Sequence, residues 1–99
     1  MTLVMDPAGS EIRALQKTVQ WKGKRVLEIG SGDGRLTLRL AAFRPRHIDA
    51  IDPDAARLRL ARRSLPAVYR RRISYHTGHA ESLRYPRNRF DIVIFSWAL

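Results

Sequence analysis

Three glycines alternate at Gly30, Gly32 and Gly34, with a carboxylate just before them at Glu28 and another among them at Asp33. Glycines at such spacing let a backbone turn sharply and come close to a ligand. A pyrophosphate loop of the dinucleotide type reads G-x-G-x-x-G, and here Gly30 and Gly32 fit while the third position is Arg35. The spacing is G-x-G-x-G instead, and no G-x-x-x-x-G-K-[ST] string of a P-loop occurs. Charge points the same way. A phosphate loop needs donors and positive potential, and Glu28 and Asp33 would repel a pyrophosphate. A ligand with an ammonium group and hydroxyls suits those acceptors, and its carboxylate can use free N–H groups at the start of the following helix. Asp52, 22 residues after Gly30, adds an acid able to accept hydrogen bonds from both hydroxyls of a ribose. That spacing serves NAD equally well, so it supports a nucleoside without choosing between the two.

These residues must be held by a scaffold, and the apolar pattern supplies one. Short apolar runs bounded by polar or turn residues at Arg25–Ile29, His47–Ile51, Arg72–Thr77 and Phe90–Phe95 read as buried parallel strands. Between them Leu36, Leu40 and Phe43, then Leu58, Ala61 and Leu65, recur at helical spacing. Alternation of strand and helix predicts βαβ units and a parallel sheet in one domain over residues 1–99. A helix is also expected over residues 6–20, with Asp6 as cap, Pro7 at its first position and Ile12, Leu15 and Val19 in one stripe. The polar link from Ser82 to Arg89, which contains Pro86, allows only a short helix. In such a sheet ligands sit at the carboxyl ends of the strands. The residues there are Gly30–Gly34, Asp52 and Pro53, Gly78–Glu81 and Ser96–Leu99.

Four motifs therefore stand in order: E-x-G-x-G-x-G at Glu28–Gly34, IDPD at Ile51–Asp54, GHAESL at Gly78–Leu83 and FDIVIFSWAL at Phe90–Leu99. Together they resemble a class I S-adenosylmethionine-dependent methyltransferase, from Trp21 onward. The resemblance implies a Rossmann-like three-layer α/β/α fold, whose four strands, numbered in chain order, lie in the order 3-2-1-4. It also implies S-adenosylmethionine as cofactor. Gly30, Ser31 and Gly32 would lie against its methionine part and ribose, and Glu28 would help hold the ammonium through water. Asp52 would take the ribose hydroxyls and Pro53 would pack beside the adenine. The family usually has Asp where this chain has His79. A neutral imidazole can still accept from the adenine amino group there, or Glu81 would take its place, with the backbone N–H of Ala80 serving a ring nitrogen. Ser96 would offer a backbone carbonyl near the ammonium.

Methyl transfer from a sulfonium needs a positioned nucleophile and excluded water, and a general base only if the acceptor must lose a proton. No residue here is assigned as catalytic, because the family selects its acceptor largely beyond the fourth strand. A small-molecule acceptor is the expectation. The family sheet continues past the fourth strand, so the chain is expected to be a truncated part, with Phe90–Phe95 as an unpaired apolar edge open to self-association or to a completing partner. The rival readings are a ligand-free turn, an NAD-linked domain and a non-catalytic module of this fold that binds RNA or completes another chain.

Composition bounds the partners. There are 19 Lys and Arg against 9 Asp and Glu, a net charge of +10, and 16 of the cations are arginine. The arginines are dense at Arg57, Arg59, Arg62, Arg63 and Arg70–Arg72, which read as a solvated basic face or as a nucleic-acid surface. Cysteine is absent, which removes disulfides and thiolate metal sites. His76 and His79 near Glu81 are expected to be structural rather than metal ligands. No signal segment or transmembrane run is read, so a soluble cytoplasmic protein is expected.

Overall fold

A computed structural model describes residues 2–5, 16–17, 19–79 and 89–95. Five parallel strands form one sheet: β1 (Thr2–Met5), β2 (Arg25–Ile29), β3 (His47–Asp52), β4 (Ile73–Thr77) and β5 (Ile92–Phe95). Their order is β1-β5-β2-β3-β4. Helix α1 (Arg35–Ala41) joins β2 to β3, and α2 (Ala55–Arg63) with a 3-10 turn at Ala67–Tyr69 joins β3 to β4. The four strands expected from the apolar runs thus stand in the expected 3-2-1-4 order.

Side chains alternate across these strands, so the sheet has two apolar faces. On one face Val26, Ile48, Ala50, Ile73, Ile92 and Ile94 pack with Leu40 and Ala41 of α1 and Leu58 and Ala61 of α2. Leu36, Phe43 and Leu65, the outer members of the two helical stripes, lie half-buried against this core. Trp21 closes it below β2, its ring 5.7 Å from that of Phe43. The other face gathers Leu27, Ile51, Phe90 and Val93. Burial on both faces explains why β5 reads as an unbroken apolar run, while β2 and β3 carry the buried acids Glu28, Asp49 and Asp52 among their apolar residues.

Two helix boundaries have clear local causes. The side chain of Asp54, in extended conformation, accepts from the backbone N–H groups of Ala56 and Arg57 and so caps α2. Arg62 and Arg63 occupy its last turn, where cations suit the helix dipole. Helix α1 has no side-chain cap and starts instead at Gly34, which adopts a left-handed conformation at φ 87°.

One expectation is overturned. Phe90–Phe95 is not an edge: Ile92–Phe95 pairs with Val26–Ile29 on one side and with Thr2–Met5 on the other. The apolar run TLVM at the amino end reads as a strand once β5 offers it a ladder, because four residues cannot show a period on their own. Residues 16–17 are helical, and residues 6–15 of the expected opening helix lie outside the described residues, as do 80–88 of the polar link. Removing residues 1–5 should uncover the β5 edge, so light scattering should show concentration-dependent association absent from the intact chain. An unchanged mass after removal would deny β1 this protective role.

Candidate ligand site at the strand ends

The glycine loop is fixed to the sheet by its own backbone. The N–H groups of Gly30 and Ser31 both donate to the carbonyl of Ile51, at 2.9 and 3.0 Å, which ties the end of β2 to β3. Gly30, Gly32 and Gly34 all have positive φ, at 86°, 58° and 87°, so the loop needs residues without a Cβ. The carboxylate of Asp52 then locks the loop from β3. Its Oδ2 accepts from the N–H of Gly32 at 2.8 Å, and its Oδ1 accepts from the N–H of Asp54 at 2.8 Å. Asp52 is buried, yet each oxygen retains acceptor capacity beyond its one backbone bond.

The three glycines divide their work. A Cβ on Gly32 would meet the guanidinium of Arg57, whereas one on Gly34 would come 2.6 Å from Tyr75 Oη and 3.2 Å from Ala61 Cβ. Gly34 therefore serves the packing of α1 over β4 and α2, which is the task of the third glycine in a dinucleotide loop. Beneath it lies a polar pocket in the core. Glu28 is fully buried on the helix-covered face, and its Oε1 accepts from the hydroxyl of Thr37 in α1. The Tyr75 hydroxyl lies beside Thr37 without completing a hydrogen bond. Burial, with the carboxylates of Glu28 and Asp33 adding to it, pushes the Tyr75 phenol above its usual value near 10.0.

The expected site residues fall into groups. Gly30, Ser31, Gly32 and Asp52 meet at one place, and Ser31 is buried with an Oγ that has no hydrogen-bond partner among the described residues. Glu28 lies apart from them, buried against Thr37 of α1. Pro53 is exposed at the start of the turn into α2, and His79 is exposed just past β4, where the N–H of Gly78 donates to the carbonyl of Asp52 at 3.1 Å. Ala80, Glu81 and Ser96 lie outside the described residues. Asp33 turns outward, where its Oδ2 lies 3.1 Å from Arg35 Nε. His76 pairs with the buried Asp49 at 3.2 Å, on the sheet face away from the two helices. Among the described residues no group of three or more His, Cys, Asp or Glu is placed to hold a metal ion. Thr37, Tyr75 and Arg57 were not foreseen as parts of this site, because each reaches it from another element with no local motif.

A family model described as a methyltransferase domain matches residues 26–99. The chain belongs to the methyltransferase domain family. Solved structures agree with this at the level of fold. A putative S-adenosylmethionine-dependent methyltransferase from Methanococcus maripaludis aligns at TM-score 0.76 and 21% identity, over 85% of this chain and 39% of that one. A putative methyltransferase from Bacillus halodurans aligns at TM-score 0.74 and 27% identity, over 88% of this chain and 38% of that one. A phosphoethanolamine N-methyltransferase from Haemonchus contortus, solved with phosphoethanolamine and S-adenosylhomocysteine, aligns at TM-score 0.73 and 26% identity, over 85% of this chain and 17% of that one. The chain thus spans well under half the length of these proteins. No curated protein sequence matches it. The methyltransferase domain is of the class I, S-adenosylmethionine-dependent type.

The layer under the loop can be tested by a double-mutant cycle. Gly34→Ala should lower stability by about 2–4 kcal/mol, from strain at positive φ and from overpacking against Tyr75. In a Tyr75→Phe background part of that cost should vanish. Tyr75→Phe alone should leave stability unchanged or raised, because the lost hydroxyl has no hydrogen bond. Since folding raises the Tyr75 pKa, its stabilising contribution is complete below pH 10 and is lost as pH rises through the folded value. Alkaline denaturation should accordingly be shallower in Tyr75→Phe than in the parent.

Proposed function

We propose that the chain is the cofactor-binding part of a methyltransferase, holding S-adenosylmethionine at the carboxyl ends of its strands for transfer of the methyl group to a small-molecule acceptor. The observation that carries this reading is the Asp52 carboxylate, anchored by two backbone N–H groups beside a positive-φ glycine loop. The residues suit such a ligand. Asp52 offers remaining acceptor capacity for a ribose diol, and the buried Ser31 hydroxyl has no hydrogen-bond partner among the described residues. Glu28 places negative charge under the loop, which favours an ammonium group above it.

In this reading Pro53 borders the adenine, His79 accepts from its amino group, Ala80 supplies a backbone N–H and Ser96 a carbonyl. When bound, the sulfonium supplies an activated methyl group that departs from a neutral thioether. The chain's own residues bind and orient: Gly30, Ser31 and Gly32 let the backbone approach, and Asp52 sets the position of the ribose. No residue is assigned as general base. A cytoplasmic setting fits a chain without cysteine, and no described helix is long and apolar enough to cross a membrane.

Calorimetric titration with S-adenosylmethionine should give saturable binding, weakened about 10- to 100-fold in an Asp52→Ala variant shown by circular dichroism to be folded. Absence of binding by the parent, or equal affinity in the variant, contradicts the reading.

A second reading is favoured by one feature. Residues 55–80 contain seven arginines and no Asp or Glu. Arg62 is committed to the edge of the sheet, where its Nη2 donates to the Tyr75 carbonyl at 2.9 Å. Arg59, Arg63, Arg70, Arg71 and Arg72 are exposed, with no ion pair among the described residues. They suit a nucleic-acid backbone, whether as acceptor or as the partner of a non-catalytic module. Fluorescence anisotropy with single-stranded RNA should then show affinity falling steeply with salt and lost on replacing Arg70, Arg71 and Arg72 by Gln. A flat salt dependence would rule against it.

A further inference from the structure

We infer that the amino end of the sheet, opposite the candidate ligand site, is a docking floor for the phosphate backbone of double-helical RNA. The inference rests on the second reading above, that the chain binds nucleic acid, and extends the contact to residues which that reading does not use.

Three neighbouring parallel strands each begin directly after a cation. Lys24 precedes β2, Arg46 precedes β3 and Arg72 precedes β4. The backbone holds the three in a row: the N–H of Arg46 donates to the carbonyl of Lys24 at 2.8 Å, and the N–H of Ile48 donates to the carbonyl of Arg72 at 2.7 Å. Two residues upstream in each segment stands another cation, at Lys22, Arg44 and Arg70, and the N–H of Gly23 ties the first two segments by donating to the carbonyl of Arg44 at 3.0 Å. Segments far apart in the sequence thus form two rows of positive charge, with neighbours set by the strand separation of about 4.8 Å. Lys22, Arg44, Arg46, Arg70 and Arg72 are exposed, with no ion pair among the described residues. Asp91 takes the corresponding place before β5 and is engaged by Arg25, whose N–H donates to its carboxylate at 2.9 Å and whose Nε lies 3.6 Å from it.

Arg44 adds an independent sign. Its φ is 64°, and among the described residues no other non-glycine residue has a positive φ. A left-handed position just after a helix is ordinarily given to glycine, so a cation kept there against the backbone preference points to a role for its charge.

The shape and chemistry of the floor select the occupant. No aromatic side chain among the described residues is exposed, so nothing there stacks on the bases of a single strand. Leu60 and Val68 are the large apolar side chains exposed among the described residues, and neither belongs to the two rows, so the floor lacks the apolar face that enters a lipid surface. Rows of cations on turns suit a duplex met through its phosphates and its shape. The six residues of β3 put about 16 Å between the floor and the ligand site at Asp52, so the duplex is anchored away from that site.

The test measures fluorescence anisotropy of a labelled RNA duplex with the intact chain over a range of salt. Affinity should fall steeply with salt, and a double variant, Lys22→Gln with Arg46→Gln, should weaken it about tenfold and flatten the salt slope by about two. A charge-matched control at the carboxyl end, Arg35→Gln with Arg57→Gln, should change affinity by less than about twofold. Arg44→Gly should weaken the duplex about threefold while the melting temperature stays equal or rises, because glycine suits that backbone. Equal weakening by the control pair would reduce the attraction to net charge and overturn the floor. Tighter binding of a single strand of the same length would overturn the duplex as its occupant. A loss confined to replacement of Arg70, Arg71 and Arg72, with the Lys22 and Arg46 pair unaffected, would overturn this inference and leave the second reading standing. Failure to bind either form of RNA would remove both.

Discussion

The bond from the Gly32 N–H to the Asp52 carboxylate is the constraint on which the upper end of this sheet depends. It joins the turn after β2 to the last residue of β3, across 20 residues of sequence. The second oxygen of the same carboxylate fixes the N–H of Asp54 and thereby the entry into α2. One buried anion thus sets the position of the glycine loop, the start of a helix and the place where a ribose would be received. A carboxylate satisfied by two N–H donors tolerates its burial, and it keeps acceptor capacity for a ligand.

Below this lock the loop rests on a second polar layer, made by Glu28, Thr37 and Tyr75 inside an otherwise apolar face. Burial of Glu28 at full depth is costly unless it is hydrogen-bonded, and the Thr37 hydroxyl meets part of that need from α1. The arrangement couples the acid of the loop motif to the helix that the loop begins. Gly34 is the steric counterpart, since only a residue without Cβ lets α1 settle over Tyr75 and Ala61. The loop turn and the helix packing are therefore served by different glycines of one motif.

Much of this was legible in the residues because the signals were local. The apolar runs Arg25–Ile29, His47–Ile51, Arg72–Thr77 and Phe90–Phe95 gave strands, the last two starting at Ile73 and Ile92 in the fold, Leu58 and Ala61 gave the buried face of α2, and Gly30, Gly32 and Asp52 meet where the strand-end rule places them. What escaped was non-local. Thr2–Met5 became a strand only by pairing with β5, some 90 residues away, and it removes the exposed edge that the apolar run Phe90–Phe95 suggested. Thr37, Tyr75 and Arg57 have ordinary places in their own elements and enter the site only through the crossing of helix over sheet. Asp33, whose charge counted against a pyrophosphate in the sequence, lies 3.1 Å from the Nε of the neighbouring Arg35 in the fold.

Amide resonances offer the most direct view of the lock. In an isotope-labelled sample titrated with S-adenosylhomocysteine, the N–H signals of Gly32 and Asp54 should move together and saturate, because both donate to the carboxylate that would receive the ribose. Saturable binding that leaves those two signals in place, or no binding at all, would contradict the assignment of Asp52 as the centre of the site.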